Sequence, residues 1–162
     1  VAANPKYMNE KITRFSLNGE EMEACGDETI LQVAKRHGVE IPHLCYKEGY
    51  RSDGNCRACM VEIKGERVLA PSCCRKPAEG MEINSKNERA VHSQKMVLEM
   101  LLSDMPQQGK SPYKLNSELD YWADKLDIYS PRFPQRDHYP KSDLSHPAMA
   151  VNLDACIQCT RC

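Results

Sequence analysis

Thiols are the groups in this chain whose spacing points to chemistry. Cys45, Cys56, Cys59 and Cys73 follow one another at gaps of ten, two and thirteen residues. The two-residue gap lets a pair of thiolates reach one metal centre from a single loop, and backbone N–H groups of such a loop can donate to the sulfurs. Four thiolates can also hold a structural zinc ion, but zinc sites commonly use two short-gap hooks. Here there is one hook and two solitary cysteines, so the asymmetry favours an iron–sulfur centre and leaves a zinc-stabilised interaction module as the alternative. Cys74 directly follows Cys73. In a strand it would point to the opposite face. Gly49 and Gly54 lie in the same loop and are expected to let the backbone approach inorganic sulfide, having no Cβ. Arg51 and Arg57 either offset cluster charge or are solvated and paired elsewhere, the second being the favoured reading. Cys25 is expected to be a small buried hydrophobe.

A second group, Cys156, Cys159 and Cys162, repeats the two-residue gap twice. It matches the opening of the C-x2-C-x2-C-x3-C-P run that binds [4Fe–4S]. Its fourth ligand is expected outside this stretch, in a longer subunit of which these residues are the N-terminal portion.

Nine cysteines in 162 residues fit either disulfides or metal ligation. The first residues, "VAANPKYMNEK", contain no apolar signal region, and the tight gaps favour metal, so a cytoplasmic location is expected. A net charge of −1 gives no electrostatic case for nucleic acid or an anionic membrane. No apolar run is long enough to span a bilayer.

The elements that must carry these thiols are legible from pattern. "KITRFSLNGEEMEAC" reads as a hairpin, with Ile12, Arg14 and Ser16 alternating against Thr13, Phe15 and Leu17 and Asn18-Gly19 as a type I′ turn. "GDETILQVAKRHG" reads as a helix with Asp27 as N-cap, Ile30, Val33 and Ala34 as its apolar stripe, and Gly38 at its end. "CMVEI", "RVLAPSC" and "GMEIN" read as short strands around the Lys64-Gly65-Glu66 turn. Ser85 and Glu88 match a capping box for a helix whose stripe is Val91, Met96, Val97, Met100 and Leu101. "SELDYWADKL" reads as a short helix with Leu119, Trp122 and Leu126 on one face. The fold class is therefore α+β, one mixed sheet with a helix laid across it. The expected organisation is a thiol-bearing α+β domain over 1–84, a helix over 85–105, an extended Pro-containing connector over 106–150, and the truncated start of a further thiol-bearing domain over 151–162; the resemblance described next implies a [2Fe–2S] ferredoxin-like domain for the first and a [4Fe–4S] ferredoxin-type domain for the last.

The stretch "IPHLCYKEGYRSDGNCRACMVEI…APSC" resembles the plant-type, β-grasp [2Fe–2S] domain shared by the large iron–sulfur subunit of respiratory complex I, diaphorase parts of NAD-reducing hydrogenases, iron-only hydrogenases and NAD-dependent formate dehydrogenases. The resemblance implies Cys45, Cys56, Cys59 and Cys73 as the cluster ligands, and Cys156, Cys159 and Cys162 as three ligands of a [4Fe–4S] cluster. Complex I large subunits and hydrogenases usually add a His-x3-Cys-x2-Cys-x5-Cys site, yet no cysteine stands between Cys74 and Cys156. His92, His138 and His146 are accordingly expected in exposed or capping roles. With "YRSDGNCRACMVEI", "SELDYWADKL", "PRFP" and "LSHPAMAVNLDACIQCTRC", this departure makes the chain similar to the α subunit of soluble formate dehydrogenases containing molybdenum or tungsten. That resemblance implies an electron-transfer segment with no catalytic residue of its own. Formate would be oxidised to CO2 at a bis-pterin Mo or W centre in the remainder of the α subunit. Electrons would pass to a β subunit with FMN that reduces NAD+, with a small γ subunit as a further partner. The alternative is the diaphorase or iron–sulfur subunit of an NAD-linked hydrogenase or a complex I-like enzyme.

Overall fold

The structure, a computed structural model, describes residues 11–105, 117–130, 132–138, 140–153 and 156–161. Strands β1 (Ile12–Leu17) and β2 (Glu20–Cys25) form the expected hairpin, paired from Ile12↔Cys25 to Leu17↔Glu20. Asn18 and Gly19 both take positive φ, 56° and 88°, as a type I′ turn requires. Period-two alternation buries Phe15, Leu17, Met22 and Ala24 on one face.

Helix α1 (Ile30–Arg36) buries Ile30, Leu31, Val33 and Ala34 against that face. Its N-cap is Thr29 and not the expected Asp27. The Thr29 hydroxyl accepts from Gln32 N, and Gln32 Oε1 accepts from Thr29 N at 2.8 Å, a reciprocal capping box. Asp27 instead pairs with Lys76 at the surface.

Strands β3 (Met60–Ile63), β4 (Ala70–Pro71) and β5 (Glu82–Asn84) complete a five-stranded sheet in the order β2-β1-β5-β3-β4. β5 runs parallel to β1, with Leu17 opposite Ile83, and antiparallel to β3. The returning strand expected over "RVLAPSC" is thus only two residues long, and the chain turns before it reaches the cysteines.

Helix α2 (Glu88–Asp104) starts at Asn87, whose side chain accepts from Ala90 N. The capping box expected at Ser85 and Glu88 does not form. Asn18 Oδ1 accepts from Ser85 N, and Asn18 Nδ2 donates to the Ser85 hydroxyl, tying the hairpin turn to the start of the helix. The buried face of α2 is also shifted from the expected stripe. Ala90, Gln94, Leu98, Glu99 and Ser103 are buried, whereas Met100 is 48% exposed. Gln94 and Glu99 are inside because they have partners. Gln94 Nε2 donates to Met60 O and Ser85 O, and Glu99 receives Arg132.

Helix α3 (Glu118–Lys125) forms over "SELDYWADK" with the capping box Ser117–Asp120, burying Leu119, Trp122 and Ala123. The connector expected over 106–150 therefore carries this helix. It also carries most of an exposed hairpin, β6 (Asp143–His146) with β7 (Met149–Val151), which crosses the expected boundary at 150. Two cores result. The first lies between the sheet and α1. The second joins Leu44, Ala58, Leu98, Leu119, Trp122 and Ile128 between the cysteine loop, α2 and α3.

Candidate metal centre

Three backbone segments deliver the four thiols. Cys45 lies on the chain leaving α1, Cys56 and Cys59 on the loop entering β3, and Cys73 on the turn leaving β4. Backbone hydrogen bonds fix these segments to one another. Ser72 N donates to Cys59 O at 3.0 Å, and the first turn of α1 closes over the Cys73 turn through Leu31 N to Ser72 O and Ile30 N to Arg75 O. The α1 N–H groups that a helix start leaves unpaired are thus used to hold the cysteine turn. Within Cys56-Arg57-Ala58-Cys59, Arg57 is left-handed at φ 58°. For a non-glycine residue that conformation costs about 1–3 kcal/mol and must be held by its surroundings.

All four thiols are buried: Cys45 3%, Cys56 8%, Cys59 1% and Cys73 0% exposed. Side-chain contacts run in a row, Cys56 to Cys45, Cys45 to Cys73, Cys73 to Cys59. Cys45 N donates to Cys56 Sγ at 3.5 Å. Hydrogen bonds from Cys56 and Cys73 favour the Cys45 thiolate and lower its pKa. The reciprocal bonds and burial raise Cys56 and Cys73. Four thiols confined together resist carrying four negative charges by themselves, and a cationic metal centre bound there would supply the compensation.

The row is divided between the two cores. Cys59 and Cys73 belong to the sheet–α1 core, Cys45 and Cys56 to the α2–α3 core. Among the described residues no three His, Cys, Asp or Glu side chains are gathered around one ion-sized point. The donor set, four buried free thiols spread as two pairs, fits a two-iron cluster.

The neighbouring residues refine the sequence reading. Cys74 is exposed, 3.5 Å from Cys73 Sγ, and its thiol donates to Ser52 O at 3.4 Å. It sits on a turn, so strand alternation is not what turns it away. A Cβ on Gly54 would stand 2.8 Å from Cys74 Sγ, so this glycine makes room for a side chain, while Gly49 faces open space. Arg51 pairs with Asp53 at 2.7 Å and is 86% exposed, and Arg57 is exposed, in line with the solvated reading. Cys25 is half-exposed at the end of β2 and is not a core residue. His92 and His138 are exposed, and His146 Nδ1 accepts from Ala148 N in the β6–β7 turn.

The second thiol run lies directly on this loop. Asn55 Nδ2 donates to Gln158 O at 3.1 Å, Thr160 Oγ1 donates to Asp53 Oδ2, and Arg161 pairs with Glu118 of α3 at 2.5 Å. Ile157 and Cys159 pack on the α2–α3 core that holds Cys45 and Cys56. Cys156 is exposed, Cys159 half-buried, and Cys162 lies outside the described residues. Asp53, Asn55 and Ser72 escaped the sequence reading. In "SDGN" the first two read as ordinary turn formers, and nothing in "PSC" marks the serine.

Comparison with known proteins agrees with this geometry. Residues 10–88 match the family model described as 2Fe-2S iron-sulfur cluster binding domain. The chain is 30% identical over 154 residues to an NADH-quinone oxidoreductase subunit of Rhizobium meliloti (strain 1021), covering 92% of this chain and 18% of that protein. It is 32% identical over 156 residues to an NADP-reducing hydrogenase subunit of Solidesulfovibrio fructosivorans, covering 91% and 26%. Its fold superposes with a TM-score of 0.75 on a chain of an NAD+-reducing [NiFe]-hydrogenase solved in the H2-reduced state, at 27% identity over 91% of this chain and 62% of that one. The chain spans about a fifth to a quarter of the length of these curated relatives.

Proposed function

We infer that residues 10–88 form a 2Fe-2S iron-sulfur cluster binding domain, homologous to part of an NADH-quinone oxidoreductase subunit and of NAD-linked hydrogenases. From that premise we propose that it is an electron-relay segment of an NAD-linked oxidoreductase complex. Cys45, Cys56, Cys59 and Cys73 hold the [2Fe–2S] cluster. Bound there, the cluster would supply reversible one-electron transfer with no substrate bond made or broken. The chain's own residues set its position and surroundings. Leu44, Ala58, Tyr46 and Trp122 keep water away, and the loop and α1 hold the thiols in place.

The observation that carries this reading is the division of four buried thiols between two cores, with the second thiol run seated on the Cys45–Cys56 side. Cys156, Cys159 and Cys162, with a fourth ligand from elsewhere, would hold a [4Fe–4S] cluster as the neighbouring station. The parent complex would work in a compartment that keeps thiols reduced, the cytoplasm. No helix among the described residues is long and apolar enough to cross a membrane.

Within this class we favour the α subunit of an NAD-dependent formate dehydrogenase, with Mo or W bis-pterin, FMN and NAD elsewhere in the complex. A flavin-bearing β subunit and a small γ subunit would be its partners. The support is the cysteine-free stretch between Cys74 and Cys156, where hydrogenase and complex I relatives usually ligate another cluster. A hydrogenase or complex I-like diaphorase role is the second reading, favoured by the relatives found.

Iron and sulfide analysis, with paramagnetic resonance on the reduced protein, tests the relay. Two irons and two sulfides per chain at the first site, with a rhombic signal, support it, and a colourless zinc protein overturns it. In the purified parent complex, cluster reduction by formate and not by H2 supports the formate branch. The reverse assigns the chain to a hydrogenase.

A further inference from the structure

Two buried side-chain oxygens among the described residues have no hydrogen-bond partner, Tyr46 Oη and Ser72 Oγ, and each belongs to a residue next to a cluster cysteine. The Tyr46 hydroxyl is influenced first by burial and by Glu48, and then by the Gln32 side chain of α1 and by Cys73. Ser72 is different. It is fully buried, and its backbone is pinned on both sides by Ser72 N to Cys59 O and Leu31 N to Ser72 O, each at 3.0 Å. The side chain therefore has no route to solvent. It stands in the sheet–α1 core beside Cys59 and Cys73. A buried hydroxyl left without a partner costs about 1–3 kcal/mol. Such an orphan normally answers to a group that binds there.

We propose that Ser72 donates its hydroxyl hydrogen to a sulfur of the [2Fe–2S] centre, on the Cys59–Cys73 side, and by that bond raises the centre's reduction potential. This rests on the four-cysteine cluster reading above. Reduction adds one electron and concentrates negative charge on the sulfurs. A hydrogen bond to sulfur is therefore stronger in the reduced state and favours it. The proton stays on Ser72 Oγ in both oxidation states, and only the electron from the reductant is transferred. Among the described residues no partner takes up the hydroxyl, and the backbone of Ser72 makes the contacts to Cys59 and Leu31.

Potentiometric titration of the [2Fe–2S] paramagnetic signal decides the matter, on the full chain as wild type, Ser72→Ala, Ser72→Gly and Ser72→Thr. At a fixed solution potential near the midpoint, the ratio of reduced to oxidised cluster falls by about three- to tenfold in Ser72→Ala and Ser72→Gly, the size of one modest hydrogen bond, and recovers in Ser72→Thr. An unchanged midpoint in Ser72→Ala with full cluster content overturns the proposal. Loss of the cluster in both hydroxyl-free variants with retention in Ser72→Thr supports it. Loss in all three variants makes Ser72 a packing residue and overturns it. A wild-type chain that holds no [2Fe–2S] cluster fails the relay reading instead, a separate result.

Discussion

Cys73 and Cys74 show how much one residue's surroundings decide. Both are thiols on the same turn, but Cys73 is sealed in the core beside Cys45 and Cys59, and Cys74 points out toward Ser52. Cys56→Ser therefore abolishes or severely perturbs the [2Fe–2S] signal, whereas Cys74→Ser leaves it in place. Absorption and paramagnetic resonance spectra of the two variants check this, and bleaching by Cys74→Ser alone would reassign the fourth ligand. Gly54 has two reasons to be glycine, a φ of 65° and the Cys74 sulfur 2.8 Å from where its Cβ would stand. Gly54→Ala costs about 1–3 kcal/mol through the strained backbone alone. The crowding adds to this, and a Cys74→Ala background relieves that part. Thermal melts of the four-member double-mutant cycle measure the coupling. The glycine was visible in the sequence as a loop residue, but its neighbour, far along the chain, was not.

At the level of elements, the segment 156–161 is held on the cysteine loop and on α3 by two carboxylates, Asp53 receiving Thr160 and Glu118 receiving Arg161. Hydrogen bonds from Thr160 and then Arg51 lower the Asp53 pKa below its ordinary 3.8, and Arg161 lowers Glu118 below 4.5. A carboxylate whose pKa is lower when docked contributes fully above its ordinary value. That contribution is lost as pH falls through the docked value. Docking of this segment is thus intact at neutral pH and loosens on acidification. Amide exchange at Ile157, compared at about pH 6 and about pH 3.5 with intrinsic rates corrected, shows the loss of protection. Glu118→Gln weakens the docking already at neutral pH. The helix ends teach the same lesson about reach. Thr29–Gln32 and Ser117–Asp120 cap their helices from within four residues. Ser85, which has the same local signature, is taken by Asn18 from the hairpin turn.

For the whole molecule, the site is a seam. One thiol pair belongs to the ferredoxin-like core and the other to a core that exists only because α2 and α3 fold back onto the loop. Trp122 closes that second core, its ring centroid 5.5 Å from His43 and 5.0 Å from Tyr121. Trp122→Ala removes about 3–5 kcal/mol of packing and opens the Cys45–Cys56 side to water. The melting temperature falls, and the cluster bleaches faster in air while the Phe15–Leu17 core stays folded. The sequence by itself determined the thiol spacing, the strand alternation around Phe15 and Leu17, the Asn18-Gly19 turn and the α3 face, because each depends on residues a few positions apart. Only the tertiary structure decided that Ser72 is an orphan beside Cys59, that Gly54 clears Cys74, and that Asp53 and Asn55 carry the second thiol run. Those contacts join residues that chain periodicity does not relate, and they arise from how two cores pack on either side of one loop.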